Sequence, residues 1–195
     1  MPSELPPVYI LAGGRSSRYG SDKARADCLG QPLILRQATQ LKSLGHCVII
    51  VAREPGQYDD LGLHTIADIE PDQGPAAGLL TALRHRAKGW LLLTSCDLVI
   101  LRQAWMTTLL DASAQHRADA IAFRDDRWQP FPGLYHTRLL DRPDVWRRFS
   151  LQHVLDHAPA HPLPLPADWP RILQANTPAD LKDFMANKHY QDNSS

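Results

Sequence analysis

The chain has 195 residues, 44% of them hydrophobic and 22% charged, with 21 Lys and Arg balancing 21 Asp and Glu. That length suits one domain, able to bury about 70% of its unfolded-chain surface without disulfide or metal staples. The even charge excludes a protein basic throughout and an acidic tail, yet it leaves room for a focused anion site.

From the start of the chain, Met1 to Pro7 lacks the basic and apolar regions of a signal peptide. Val8 to Ala12 reads as a first strand that runs into a loop rich in Gly, Ser and Arg. Pro32 to Leu44 is expected to be a helix, with Ile34, Ala38 and Leu41 on one face and Gly45 as its stop. Cys47 to Val51 follows as a continuous apolar strand, buried on both faces if parallel. Leu63 to Ala67 is a shorter strand; Ala76, Leu79, Leu80, Leu83 and Ala87 then recur at helical spacing, and Trp90 to Thr94 is the next buried strand. Trp105, Leu109 and Ala112 suggest a third helix before the strand Ala120 to Phe123. Pro130 to His136 reads as a strand returning across the sheet, its prolines favouring an edge. Ala158 to Pro170, with five prolines, reads as an extended connection. Thr177-Pro178-Ala179-Asp180 has the chemistry of a helix start, and Leu181, Phe184 and Met185 would dock that helix.

This alternation is that of β-α-β units around a mostly parallel sheet, an α/β fold, with an ordered core of about 8–188 in one domain of 1–195. Cys28, Cys47 and Cys96 stand far apart without a C-x-x-C pair, so buried reduced thiols in a cytoplasmic protein are expected. No apolar run approaches the roughly 18 residues of a membrane span, and neither membrane nor nucleic acid is expected as a partner.

Three segments carry chemistry. Gly13-Gly14-Arg15-Ser16-Ser17-Arg18-Tyr19-Gly20-Ser21-Asp22-Lys23 directly follows a buried strand. Its glycines let backbone N–H groups cradle anionic oxygens, and Arg18 and Lys23 could add full charges. Neither the Walker A spacing nor the dinucleotide G-x-G-x-x-G fits it; a Gly-Ser-Arg surface turn is the plain alternative. Asp97 in Ser95-Cys96-Asp97 ends a buried strand, where one carboxylate together with phosphates could hold Mg²⁺. It could instead cap the next element. Asp68 followed by Gly74-Pro75-Ala76-Ala77-Gly78 could bring a helix N-terminus to a ligand, or could simply be a tight turn into a closely packed helix. Of the nine histidines, His153 and His157 could share a metal but read better as a solvent-facing pair, and Trp128 and Tyr135 read as packing residues rather than a stacking platform for a ligand ring.

Leu11 to Lys23 resembles the signature L-A-G-G-x-S-x-R-M-G-x-D-K of the molybdenum cofactor guanylyltransferases, with Tyr19 in place of Met. Asp68 with Gly74 to Gly78 is similar to that family's D…G-P-L-A-G, Cys96-Asp97 to its C-D-x-P with Val99 for Pro, and Asn176 to Leu181 to its N-x-N-T-P-E-D-L with Gln174 for the first Asn. The resemblance implies a Rossmann-like three-layer sandwich, and an enzyme moving GMP from GTP to the phosphate of molybdopterin with release of pyrophosphate. It implies that Leu11, Ala12, Gly13, Gly14, Lys23, Asp68 and Asp97 bind the nucleotide, that Asp97 holds Mg²⁺, and that Lys23, Arg18 and Asp97 are catalytic. Pro130, Gln174 and Asn176 would line the acceptor pocket, and molybdoenzyme apoproteins or cofactor-delivery proteins are conceivable partners. The Gly13-Gly14 pair stands where related cytidylyltransferases carry Ala-Ala-Gly and favours guanine. A cytidylyltransferase, a sugar-phosphate nucleotidyltransferase and a non-catalytic nucleotide- or pterin-binding protein are the competing readings.

Overall fold

A computed structural model describes residues 5–13, 22–170 and 173–187. Its strands are β1 (Val8–Leu11), β2 (Asp27–Cys28), β3 (Gln31–Pro32), β4 (Val48–Ala52), β5 (Thr65–Ala67), β6 (Trp90–Ser95), β7 (Ala120–Arg124), β8 (Trp128–His136) and β9 (Ala160–Pro164). The α-helices are α1 (Leu33–Ser43), α2 (Pro75–Arg86), α3 (Gln103–Gln115), α4 (Leu151–His157) and α5 (Pro178–Ala186). Seven strands form one sheet in the order β5-β4-β1-β6-β8-β7-β9, and β2 pairs with β3 as a separate hairpin. β5, β4, β1 and β6 run parallel, β8 is antiparallel to both neighbours, and β9 is parallel to β7.

The connection β1-α1-β4 moves one way along the sheet and β5-α2-β6 moves the other. Right-handed crossovers in opposite directions place α1 and α2 on opposite faces, which makes the sheet the middle of three layers. Side-chain alternation agrees. Tyr9 reaches His85 of α2 through its hydroxyl, and Leu11 lies against Gly78 of the same helix, while Val8 and Ile10 point the other way. Covered on both sides, β4 is buried at every position and β6 from Leu91 to Ser95, which explains their unbroken apolar runs.

The proline-rich segments change places relative to expectation. β8 is interior, between β6 and β7, and is not an edge. Its prolines are tolerated because they fall in a break in the pairing. β7 pairs with Gly133 and then skips to Gln129, and β6 pairs only as far as Gly133, so Pro130 and Pro132 owe neither neighbour a ladder hydrogen bond. Tyr135 closes the irregularity by donating its hydroxyl to the Pro130 carbonyl at 3.0 Å. The true edge is β9, inside the stretch expected to be only an extended connection, and Pro162 and Pro164 blunt that edge. The expectation of buried thiols also needs correcting at one position: Cys28 is buried and Cys96 partly so, but Cys47 is exposed. The Thr177 helix start forms a complete capping box, with the Thr177 hydroxyl accepting from Asp180 N–H and the Asp180 carboxylate accepting from Thr177 N–H.

Candidate functional site

β1 and β6 are parallel neighbours, in register from Val8 opposite Leu92 to Leu11 opposite Ser95, so their following loops leave the same edge of the sheet. Such a carboxyl edge, between strands whose connections diverge, is where open α/β sheets form a binding crevice. Across it the Lys23 ammonium meets Asp97 Oδ2 at 2.8 Å, joining residues 74 positions apart. The side chains are only 13% and 16% exposed, so the pair is largely withdrawn from water and its attraction is weakly screened.

Each partner is held from below. Lys23 opens a short 3-10 helix, Lys23–Arg25, that Asp22 caps by accepting from Ala24 N–H at 3.0 Å. The other Asp22 oxygen accepts the hydroxyl of fully buried Tyr58 at 2.9 Å. Arg25, stacked 5.2 Å over the Tyr58 ring, forks onto both Asp60 oxygens at 2.8 Å and onto the Gln57 carbonyl. The turn bearing Lys23 is thereby anchored to segment 57–60.

Asp97 sits in the turn Ser95 to Leu98, closed by Leu98 N–H donating to the Ser95 carbonyl at 3.0 Å. Its Oδ1 accepts from the Ser95 hydroxyl and from the Gln174 amide at 3.3 Å. The C-terminal segment reaches this turn through a bridge between Leu98 and Gln174 and through Ala175 N–H donating to the Asp97 carbonyl at 2.9 Å. Gln174 therefore belongs to the cluster. Asn176 lies two residues further on with its side chain exposed. Pro130 lies in the β8 bulge, where its carbonyl takes the Tyr135 hydroxyl rather than a bond to this cluster. Arg18 and Gly14 lie outside the described residues.

The remaining nucleotide-site candidates line the same edge. Ala12 N–H donates to the Val51 carbonyl, and the Leu11 carbonyl accepts from Cys96 N–H at 2.9 Å, tying the two loop stems together. A Cβ on Gly13 would stay 3.8 Å from the backbone of Ala52 and Arg53, so packing among the described residues does not demand glycine there. Gly78 is different, because its Cβ would come within 2.9 Å of the Leu11 side chain, and close helix packing accounts for it. Gly74 has φ 88° and ψ −177°, a conformation confined essentially to glycine, which turns the chain into α2. Asp68, just after β5, accepts the Thr81 hydroxyl at 2.6 Å and Glu70 N–H at 3.2 Å.

Thr81, Tyr58 and Gln57 were not expected from sequence. Thr81 had a signal, as a polar residue set among the apolar positions of α2; Tyr58 had none, because it sits in an irregular stretch. Trp128 and Tyr135 are buried, with the Trp128 indole donating to Asp156 at 2.8 Å, so both are packing residues as expected. His157 is exposed and His153 half-buried, their rings 3.9 Å apart. Among the described residues no group of three or more His, Cys, Asp or Glu could hold a metal. The donors that do converge, Asp97 carboxylate and Ser95 hydroxyl, are hard oxygens around a single carboxylate, which fits a divalent cation that brings phosphate and water ligands of its own. The Cys96 thiol is pushed up by burial and then by Asp97, so it stays protonated and unreactive at neutral pH. No described helix is long and apolar enough to cross a membrane.

Comparison with known proteins gives a consistent picture. The MobA-like NTP transferase domain matches residues 8–160. A protein of Deinococcus radiodurans named "Probable molybdenum cofactor guanylyltransferase" is 41% identical over 134 residues, covering 68% of each chain. One of the same name from Nostoc sp. is 34% identical over 186 residues, covering 89% of this chain and 87% of its own. In fold, the chain is similar to the crystal structure of molybdopterin-guanine dinucleotide biosynthesis protein A from Archaeoglobus fulgidus, with TM-score 0.75 at 22% identity over 92% of this chain and 97% of that one.

Proposed function

This chain belongs to the molybdenum cofactor guanylyltransferase family, built on a MobA-like NTP transferase domain, and we propose on that premise that it transfers GMP from GTP to the phosphate of molybdopterin, releasing pyrophosphate. The observation that carries the reading is the Lys23–Asp97 pair, set where the loops after β1 and β6 meet. A cation and an anion held together in this way neutralise each other until a triphosphate arrives. The phosphate oxygens then offer Lys23 a more highly charged partner than one carboxylate, and Asp97 becomes available to the metal. Mg²⁺ held by Asp97 and the nucleotide phosphates would supply neutralisation of charge at the α-phosphate.

A phosphate oxygen of the pterin attacks the α-phosphorus in line, forming the new P–O bond as the bond to pyrophosphate breaks. Both reactants are anionic, so positioning and charge compensation do most of the work. Lys23 and Arg18 stabilise the departing pyrophosphate. Leu11, Ala12, Gly13, Gly14 and Asp68 seat the guanosine. Gln174 and Asn176 serve the acceptor, and the Gln174 amide, donating to Asp97 at 3.3 Å, supports this by standing beside the metal-holding carboxylate. No base is required, because the attacking phosphate is ionised at neutral pH. The whole chain acts as one nucleotidyltransferase domain in the cytoplasm, passing its product to molybdoenzyme apoproteins or delivery proteins.

The test is pyrophosphate release with each of the four nucleoside triphosphates, Mg²⁺ and molybdopterin. GTP is expected to be used in preference to the others. Preference for CTP would replace the guanylyl assignment, and no release with any nucleotide would leave a binding protein.

A further inference from the structure

The turn that carries Asp97 is gripped from the α1 side by side chains that the proposed reaction does not use. Arg36 Nη1 donates to the Val99 carbonyl at 3.2 Å and Gln40 Nε2 to the Leu101 carbonyl at 2.8 Å. Between them Gln37, 2% exposed, points its amide nitrogen at three acceptors: Thr94 Oγ1 at 3.0 Å, the Ser95 carbonyl at 3.1 Å and the Leu98 carbonyl at 3.4 Å. Ser95 and Leu98 are the first and last residues of the turn, and Asp97 is its third. One amide thus spans both ends of the element whose only charged side chain is Asp97.

The same amide carries a cost. Gln37 Oε1 is buried and accepts no hydrogen bond among the described residues. A buried acceptor without a donor is unfavourable, and an apolar side chain of this size would avoid it. An apolar replacement would remove that orphan but would leave Thr94 Oγ1 and the Leu98 carbonyl without this donor, so what sets glutamine apart here is that its one donor group spans the turn. The opposite side of the turn is held separately, by Gln174 and by Val99 N–H donating to the Leu173 carbonyl at 3.0 Å, a bond that proline at 99 could not make. Without Gln37 the turn itself would keep only that side, and the α1 contacts left, Arg36 on Val99 and Gln40 on Leu101, fall just beyond it.

We propose that Gln37 is a positioning residue for the nucleotidyl transfer: by bridging the Ser95 and Leu98 carbonyls it fixes the direction in which Asp97 presents its carboxylate. The proposal rests on the assignment of Asp97 to the site. It predicts that removing the amide harms turnover with little harm to nucleotide affinity, because the nucleotide-binding loop after β1 is left intact.

The experiment uses the full chain in steady-state pyrophosphate release, with Gln37→Met, Asp97→Asn, the double variant, and Gln40→Met as a control on the same helix. Gln37→Met is expected to lower kcat about tenfold or more, equivalent to roughly 1.4 kcal/mol, while the KM for GTP moves less than about threefold. In the double variant the effect should vanish, leaving it no slower than Asp97→Asn alone. Amide hydrogen exchange should accelerate in a peptide spanning residues 94–101 and remain unchanged in the β4 peptide. Gln37→Asn, whose amide is one methylene short, reports the same behaviour should the methionine variant not fold. Wild-type kcat in Gln37→Met, a double variant slower than Asp97→Asn by the full single-variant factor, or equal slowing by Gln40→Met would overturn the proposal. Wild-type turnover in Asp97→Asn itself would overturn the site assignment and the proposal with it, and that single variant separates the two failures.

Discussion

Tyr58→Phe tests whether the anchoring beneath Lys23 has the strength its geometry implies. The phenol is pushed far above its usual range by burial first and by its bond to Asp22 second, so it remains an O–H donor at every pH the protein tolerates. Removing the hydroxyl leaves Asp22 Oδ2 with the Gln57 amide at 3.4 Å and Arg25 Nε at 3.8 Å, both poorer than the lost 2.9 Å bond. A hydrogen bond to a charged group contributes about 1.5–3 kcal/mol. The Asp22 side chain is 29% exposed, so water replaces part of it and the lower end, about 1.5 kcal/mol, is the better figure. For a chain of this size about 2–4 °C accompanies each kcal/mol, which places the fall in Tm at about 3–6 °C. Thermal denaturation followed by far-UV circular dichroism at pH 7 measures it, and an unchanged urea m-value confirms that compactness is preserved. Because Asp22 caps the turn that carries Lys23, kcat should fall several-fold in the same protein. A Tm within about 1 °C of wild type, together with unaltered kcat, would refute the reasoning.

Lys23→Ala and Asp97→Ala should each lower turnover at least about tenfold, the loss of roughly 1.4 kcal/mol of transition-state stabilisation. Near-wild-type pyrophosphate release in both variants would remove the pair from the reaction. A separate prediction concerns stability and acid. Burial raises the Asp119 carboxyl, but hydrogen bonds from Arg138 at 2.5 Å and Arg142 at 2.7 Å outweigh it and hold the group below the usual carboxylate range. A depressed folded-state value means that the contribution is present above the unfolded value, near about pH 4, and is lost as pH falls through the folded one. Asp119→Asn should therefore cost about 1–3 kcal/mol at pH 7 in urea denaturation, and the gap to wild type should narrow near pH 3. An equal gap at both pH values would contradict the assignment of that clamp.

Periodicity served well wherever both faces of an element were buried alike. β4 has no polar position to confuse the pattern and β6 none before Thr94, and α5 announces itself through the local chemistry of Thr177, Pro178 and Asp180. Reading failed where a long-range relation overrides a local rule. Proline at 130 and 132 signals an edge because proline lacks a ladder donor, and nothing local reveals that the neighbouring strands stop pairing at Gly133. The edge signal was real for Pro162 and Pro164, in a segment whose pairing with β7 depends on where β7 lies. Around the site, Lys23, Asp68 and Asp97 were legible because each follows a strand and carries chemistry of its own. Gln37, Tyr58 and Thr81 were not, since each acts through a partner at least 13 positions away.

By itself the sequence determined the fold class, the loops that end strands, and the charged groups those loops bring to one edge. These follow from burial patterns and from backbone chemistry that acts over a few residues. It also placed a basic loop inside a chain whose charge sums to zero. Only the tertiary structure decided that Lys23 and Asp97 face each other at 2.8 Å, that Gln174 joins Asp97 while Pro130 does not, and that buried hydrogen bonds from Gln37 and Tyr58 hold the two turns. Such contacts depend on which strands are neighbours and in what register, and strand order is settled by packing both faces of the whole sheet at once.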